Sequence, residues 1–144
     1  MSADAPNQSV GQRAEQRGEQ PAVREGATFP RAARLLKHAD FERVYKQGRR
    51  HFSSHMTVFY LRQAEGGARI GFTVGRVLGD AVERNRIKRR LREAVRQRRS
   101  ILKSPVDVVI NPKKSLLKVE FPTLLEEASR AFEVIARKTA EKQK

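Results

Sequence analysis

The densest run of chemistry-bearing side chains lies between Val82 and Arg99. It holds Arg84, Arg86, Lys88, Arg89, Arg90, Arg92, Arg96, Arg98 and Arg99, opposed only by Glu83 and Glu93. Guanidinium and ammonium groups at this density suit phosphate, which they grip by charge-assisted hydrogen bonds, two at a time for arginine. Ile87, Leu91, Ala94 and Val95 recur at i, i+4, i+7 and i+8, which predicts one narrow apolar stripe on a helix. Like charges one turn apart repel, so this helix needs a core beneath the stripe and a polyanion over the rest. An ordinary solvated helix mixes its signs.

Other reactive groups are sparse. His38, His51 and His55 are the only histidines. In one uninterrupted strand His51 and His55 stand about 13 Å apart, too far to share a metal ion. Asp80 and Glu83 read as helix N-terminal charges rather than a catalytic carboxylate pair. No nucleophile elbow or P-loop occurs. What remains is cations with aromatics: Arg and Lys for phosphates, Phe and Tyr for stacking on unpaired bases.

Composition agrees. The chain has 144 residues, no cysteine and a net charge of +15. The length suits one domain with a modest core, and a disulfide framework or Cys-based zinc site is excluded. Residues 1–28 carry −1 and residues 29–144 carry +16, so the basic charge belongs to the folded part, as in a nucleic-acid binder. With no apolar run of transmembrane length, no signal-like N-terminus and no aromatic-apolar face for a membrane surface, the expected location is the cytoplasm.

The elements that must position these groups follow from periodicity. Residues 1–28 are polar, with Pro6 and Pro21, and are expected to be disordered. Asp40 opens a short helical pattern with Phe41, Val44 and Tyr45, stopped by Gly48; pattern alone assigns Phe41 and Tyr45 to packing. Arg50 to Arg62 alternates as a strand with a break near Ser53-Ser54, followed by a turn at Gly66-Gly67. Arg69 to Gly75 is a further strand, whose bare face of Arg69, Gly71, Thr73 and Gly75 admits close approach by a backbone or ligand. Val106 to Ile110 reads as a buried strand, broken by Asn111-Pro112. The last helix is expected to start at Thr123 in a capping box with Glu126, to bury Leu125, Ala128, Phe132 and Ile135, and to fray over 139–144. The expected fold is α+β: one layer of about four mixed strands packed with three helices, in the order α-β-β-β-α-β-α, in a domain over 29–138.

Gly71-Phe72-Thr73-Val74, followed by Gly79-Asp80-Ala81-Val82-Glu83-Arg84-Asn85-Arg86-Ile87-Lys88-Arg89-Arg90-Leu91-Arg92-Glu93-Ala94, closely resembles the signature of the bacterial ribonuclease P protein subunit. Asp40 to Gly48 looks like that family's first helix, and Val106 to Ile110 sits where its last strand belongs. The resemblance covers roughly residues 31–136. Departures fall at Gly75, at Arg76-Val77 in place of two lysines, at Asp80 in place of Asn, and at Asn111-Pro112-Lys113.

The resemblance implies an RNA-binding subunit whose RNA partner carries the active site and the catalytic Mg2+. The complex cuts precursor tRNA at the 5′ end of the mature sequence. No catalytic residue, dedicated protein metal site or obligate protein partner is expected in this chain. Arg84, Asn85, Arg86, Lys88, Arg89 and Arg92 are the expected contacts to the partner RNA; Phe41, Tyr45, Phe59 and Arg76 are those to the precursor's 5′ leader. The resemblance also implies a left-handed crossover, against the general right-handed rule. Charge alone leaves a structural RNA-binding protein, such as a ribosomal protein, and a DNA-binding recognition helix as alternatives.

Overall fold

Alternating residues of the 50–62 segment need two different apolar environments, and the fold provides them. The computed structural model describes residues 28–141; the expected disorder of the N-terminal extension falls, except for Thr28, outside them. The elements are α1 (His38–Gln47), β1 (Arg49–Phe52), β2 (Met56–Arg62), β3 (Arg69–Phe72), α2 (Ala81–Arg98), β4 (Val106–Pro112) and α3 (Phe121–Glu141). The expected break is present, where Ser53 N–H donates to the Met56 carbonyl at 2.9 Å.

The strands form one mixed sheet in the order β1-β2-β4-β3. β2 runs antiparallel to both neighbours, with Arg50 opposite Phe59 and Phe59 opposite Val109. β3 and β4 are parallel, with Gly71 opposite Val109, and α2 makes the crossover between them. Met56, Val58, Tyr60, Ile70, Val106, Val108 and Ile110 bury one sheet face in a core shared with α2 and α3. Each fully buried Val, Leu or Ile there contributes roughly 1.5–3 kcal/mol. The other face carries a small second core of Leu35, Val44 and Val109 under α1, flanked by Phe41, Tyr45, Phe59 and Leu61.

Four expectations need correction. β3 ends at Phe72 rather than Gly75, although the Thr73 amide still bonds the Ile110 carbonyl at 3.0 Å. Asn111-Pro112 does not break β4: the strand runs on, pairing Asn111 with Thr57 and Pro112 with Met56. Proline is tolerated there because it ends the strand. The last helix opens at Phe121 rather than Thr123, with the Leu124 amide bonded to the Glu120 carbonyl. Pro122 fits a first turn, whose amides have no helical partner. Glu126 therefore pairs with Arg130 at 3.3 Å instead of capping; Ala128, Phe132 and Ile135 are buried as expected, but Leu124 and Ala131 join them and Leu125 is only half-buried. The expected fraying from 139 also fails up to Glu141: Thr139 is buried and its hydroxyl donates to the Ile135 carbonyl at 2.8 Å.

Asp107, which interrupts the apolar run of β4, has a fully buried side chain. Arg69 of β3 meets it with two parallel bonds, Nε to Oδ1 at 2.9 Å and a terminal nitrogen to Oδ2 at 2.8 Å. Its other terminal nitrogen reaches Asp40 of α1 at 3.4 Å, and Arg43 holds the second Asp40 oxygen at 3.0 Å. The hydrogen bonds to Asp107 chiefly raise the Arg69 pKa above its ordinary value, despite partial burial. Arg69→Met should strand the Asp107 charge. Arg69 is 35% exposed, which discounts the loss to roughly 3 kcal/mol, the low end for breaking a buried pair. A melt of the variant should show a Tm drop of about 10 °C; an unchanged Tm would mean that the pair does not hold the sheet and α1 together.

Candidate RNA interface

α2 begins where its sequence says it should. Glu83 N–H donates to Asp80 Oδ1 at 2.8 Å, and Asp80 N–H donates to Glu83 Oε1 at 3.1 Å, a complete capping box. Gly79, at φ 136°, must be glycine twice over: its conformation is left-handed, and a Cβ there would strike the Glu83 carboxylate. Asp80 and Glu83 are thus helix-terminal charges, as expected.

Burial sorts the cations of α2 into two groups. Ile87, Leu91, Ala94 and Val95 are buried as the periodicity requires. Asn85, Arg86, Lys88, Arg89 and Arg92 are exposed, and Arg84 is half-buried with its Nε donating to the Gly79 carbonyl at 3.2 Å. Five of the six predicted partner-RNA residues are thus exposed on α2, and Arg84 sits at the edge of the buried stripe, bonded to the Gly79 carbonyl. Three arginines of the same run serve the protein itself. Arg90 donates to the Leu117 and Val119 carbonyls and ties α2 to the turn before α3. Arg98 is buried, and desolvation lowers its pKa. Arg96 bonds Glu93, whose other donor is Gln97 at 2.7 Å. Burial pushes the Glu93 carboxyl upward, but the bonds from Arg96 and Gln97 and the Arg96 charge outweigh it and hold the pKa below the ordinary value.

On the opposite face of the sheet, Phe41, Tyr45 and Phe59 come together. Phe41 sits over Gly71, where a Cβ would lie 2.5 Å from its ring and 3.0 Å from Leu35 Cβ. The bare face of β3 therefore receives an aromatic ring of the chain itself. Tyr45 meets Phe59 edge-on, centroids 4.9 Å apart at 87°. The Tyr45 hydroxyl donates to Asn111 Oδ1 at 2.9 Å, so at its 2.6 Å contact with Thr73 it accepts. All three rings are half-buried. They pack, as their periodicity says, and still offer surface at the rim of α1. Arg76 is exposed on the single 3-10 turn Arg76–Leu78 between β3 and α2.

Sequence reading missed three members of this face. Arg50 stacks over Phe59 at 5.3 Å, a placement that the alternation of β1 encodes once the β1–β2 register is known. Thr73 and Asn111 orient Tyr45, and the Asn-Pro pair disguises Asn111 as a strand end. The strand break leaves His51 on β1 and His55 just before β2. Both line one groove of about 530 Å³ beside Glu127, where the His55 amide and Nδ1 each meet a carboxylate oxygen, at 2.7 and 2.9 Å. Burial lowers the His51 pKa, opposed by the Glu127 charge. Among the described residues, no group of three His, Asp or Glu side chains converges as a metal cage, and no helix is long and apolar enough to cross a membrane.

Known proteins share this arrangement. The family model for ribonuclease P matches residues 29–136. The ribonuclease P protein component of Citrifermentans bemidjiense is 37% identical over 115 residues, spanning 79% of this chain and 97% of the relative. That of Symbiobacterium thermophilum is 39% identical over 104 residues, 72% and 90% of the two chains. Among solved structures, the Staphylococcus aureus RNase P protein superposes with a TM-score of 0.64 at 26% identity, covering 73% of this chain and 96% of that one. The Thermotoga maritima RNase P protein gives 0.63 at 28% identity, covering 69% and 94%. The match runs through the mixed sheet and the three helices, the basic crossover helix among them, and the chain belongs to the ribonuclease P protein family.

Proposed function

We propose that this chain is the protein subunit of a ribonuclease P holoenzyme that matures the 5′ end of tRNA in the cytoplasm. In this reading a catalytic RNA carries the active site and the Mg2+ ions. The chain binds that RNA through Arg84, Asn85, Arg86, Lys88, Arg89 and Arg92. It receives the single-stranded leader of precursor tRNA along Phe41, Tyr45 and Phe59, with Arg76 beside the path. The described residues do not fit a metal cage of their own, and no step of the proposal runs through one. The chain's part is positioning: it fixes the leader relative to the RNA and places positive charge where phosphates crowd.

The observation that carries the proposal is the sorting of α2. Its exposed side keeps cations that the fold does not use, while Arg90, Arg96 and Arg98 are engaged within the fold. Adding the purified chain to a bacterial ribonuclease P RNA and a precursor tRNA should increase 5′ cleavage at limiting Mg2+. Failure of the chain to do so would overturn the proposal.

Arg84→Ala with Arg86→Ala should flatten the dependence of log K on log salt by one to two for the RNA complex, at about 0.7–0.9 for each phosphate left unneutralised. The Tm should hardly change, because neither residue lies on the buried stripe. An unchanged slope with unchanged affinity would place this helix in solvent.

Tyr45→Leu and Phe59→Leu keep an apolar side chain but remove the ring faces, and Tyr45→Leu also gives up the hydroxyl bonds to Asn111 and Thr73. Each should weaken binding of leader-bearing precursor by about 1–3 kcal/mol for the missing stack, or roughly 5- to 150-fold, and leave mature tRNA unaffected. Equal losses for both substrates, with a lower Tm, would assign the rings to packing alone.

A further inference from the structure

The chain enters the fold along α2. The Thr28 carbonyl accepts from Arg99 Nε at 2.9 Å, which fastens the entering segment to the C-terminal end of the helix. Phe29, only 7% exposed, packs against Phe72 with centroids 6.1 Å apart. Arg34 is then set twice over. Its Nε donates to the Phe29 carbonyl at 3.0 Å, and its guanidinium lies 5.3 Å over the Phe29 ring. Between this strap and the helix lies an open groove of about 620 Å³ that brings Arg34 together with Arg89, Arg92, Arg96 and Glu93. Both Glu93 oxygens are taken up by Arg96 and Gln97, so the groove holds four guanidinium groups, of which Arg96 is paired with Glu93 and the net charge is +3.

We propose that this strap–helix groove is a second phosphodiester site, in which the backbone of the partner RNA, having passed Arg84 to Arg92, continues toward the strap and is clamped by Arg34. The proposal rests on the reading of α2 as the partner-RNA helix. The chemistry is that of a flexible polyanion: a concave surface with converging guanidinium groups suits successive phosphates better than a folded acidic protein surface, whose carboxylates sit on separate side chains. Arg34 is the informative residue because it comes from outside the basic helix and is held rigidly, so little side-chain freedom remains to be lost on binding.

The test uses the full chain with a bacterial ribonuclease P RNA across a salt series. Arg34→Gln should weaken binding about three- to tenfold and lower the salt slope by about one, while Arg34→Lys should keep most of both. If Arg34→Gln leaves the slope and affinity unchanged while Arg84→Ala/Arg86→Ala lowers them, the groove proposal fails alone. If neither variant changes them, the reading of α2 fails with it. A lower Tm with an unchanged slope would make Arg34 only a strap anchor and overturn the proposal. A loss confined to precursor tRNA binding by the assembled complex would give the groove to the substrate instead. Because the sequence has no cysteine, Ala32→Cys on the exposed strap can carry a single tethered iron chelate. Cleavage of the ribonuclease P RNA from that tether is the expected result; cleavage of the precursor tRNA alone would overturn the assignment.

Discussion

A carboxylate buried in the middle of a sheet constrains everything around it. Asp107 sits on β4, between two strands, with no solvent access. A charge in such a place must be paired and hydrogen-bonded or it destabilises the fold by several kcal/mol. Arg69 on the adjacent parallel strand satisfies it in bidentate fashion, and its remaining terminal nitrogen is aimed at Asp40 on α1. One guanidinium therefore joins three elements that are far apart in sequence. α1 buries few side chains of its own, chiefly Val44, so apolar area alone would leave its placement loose. The ion network fixes one end, and the Tyr45 bonds to Asn111 and Thr73 fix the other. Between those points Phe41 lies on Gly71, where only glycine leaves room. The exposed rim of aromatics beside α1 is a consequence of that fixed docking.

The basic helix answers a different problem. Cations near a helix N-terminus oppose the macrodipole and repel one another. Asp80 and Glu83 offset part of this at the first turn, and the capping box satisfies two amides that would otherwise be unpartnered. Farther along, Glu93 and backbone carbonyls engage Arg96 and Arg90. What remains unneutralised, Arg86, Lys88, Arg89 and Arg92, is exposed. Burial of Ile87, Leu91 and Val95 stabilises the helix in spite of the residual repulsion. A fold that holds cations together at such cost is primed for an anion, because a bound polyanion turns a standing electrostatic penalty into a gain.

Much of this is legible in the sequence. The spacing of Ile87, Leu91, Ala94 and Val95 names the buried stripe, and the alternation around Val58 and Phe59 names both sheet faces and the break at Ser53-Ser54. The two acids at the start of α2 declare the cap. What escapes lies in non-local pairing. Periodicity gives Asp107 as a polar interruption but cannot say that Arg69, 38 residues earlier, meets it. Nothing local distinguishes Arg90 and Arg96 from Arg86, Arg89 and Arg92, because the difference is made by the turn before α3 and by Glu93; Arg98, four residues after Ala94 and seven after Leu91, falls on the buried stripe itself. Asn111-Pro112 looks like a strand end because proline lacks an amide; at the last position of β4 that lack is harmless. Thr123 with Glu126 matches a capping box by type and spacing, yet the helix has already begun at Phe121.

The two surfaces proposed to bind RNA lie on opposite sides of one sheet, α1 with its aromatic rim on one and α2 on the other. Layers of this kind stack about 10 Å apart, so the helix axes stand on the order of 20 Å from one another across the strands. The covalent link between them is short: β3 bears Arg69 and Gly71 under α1, then passes through Thr73 and the Arg76–Leu78 turn directly into the α2 cap. Beside that link, the sheet and the core beneath it are close-packed, and such an interior transmits displacement instead of absorbing it. Under the proposed assignment, a leader held against Tyr45 and Phe59 is therefore set at a fixed distance and angle from the RNA held on α2. On that assignment such a spacer converts binding energy on one side into alignment on the other.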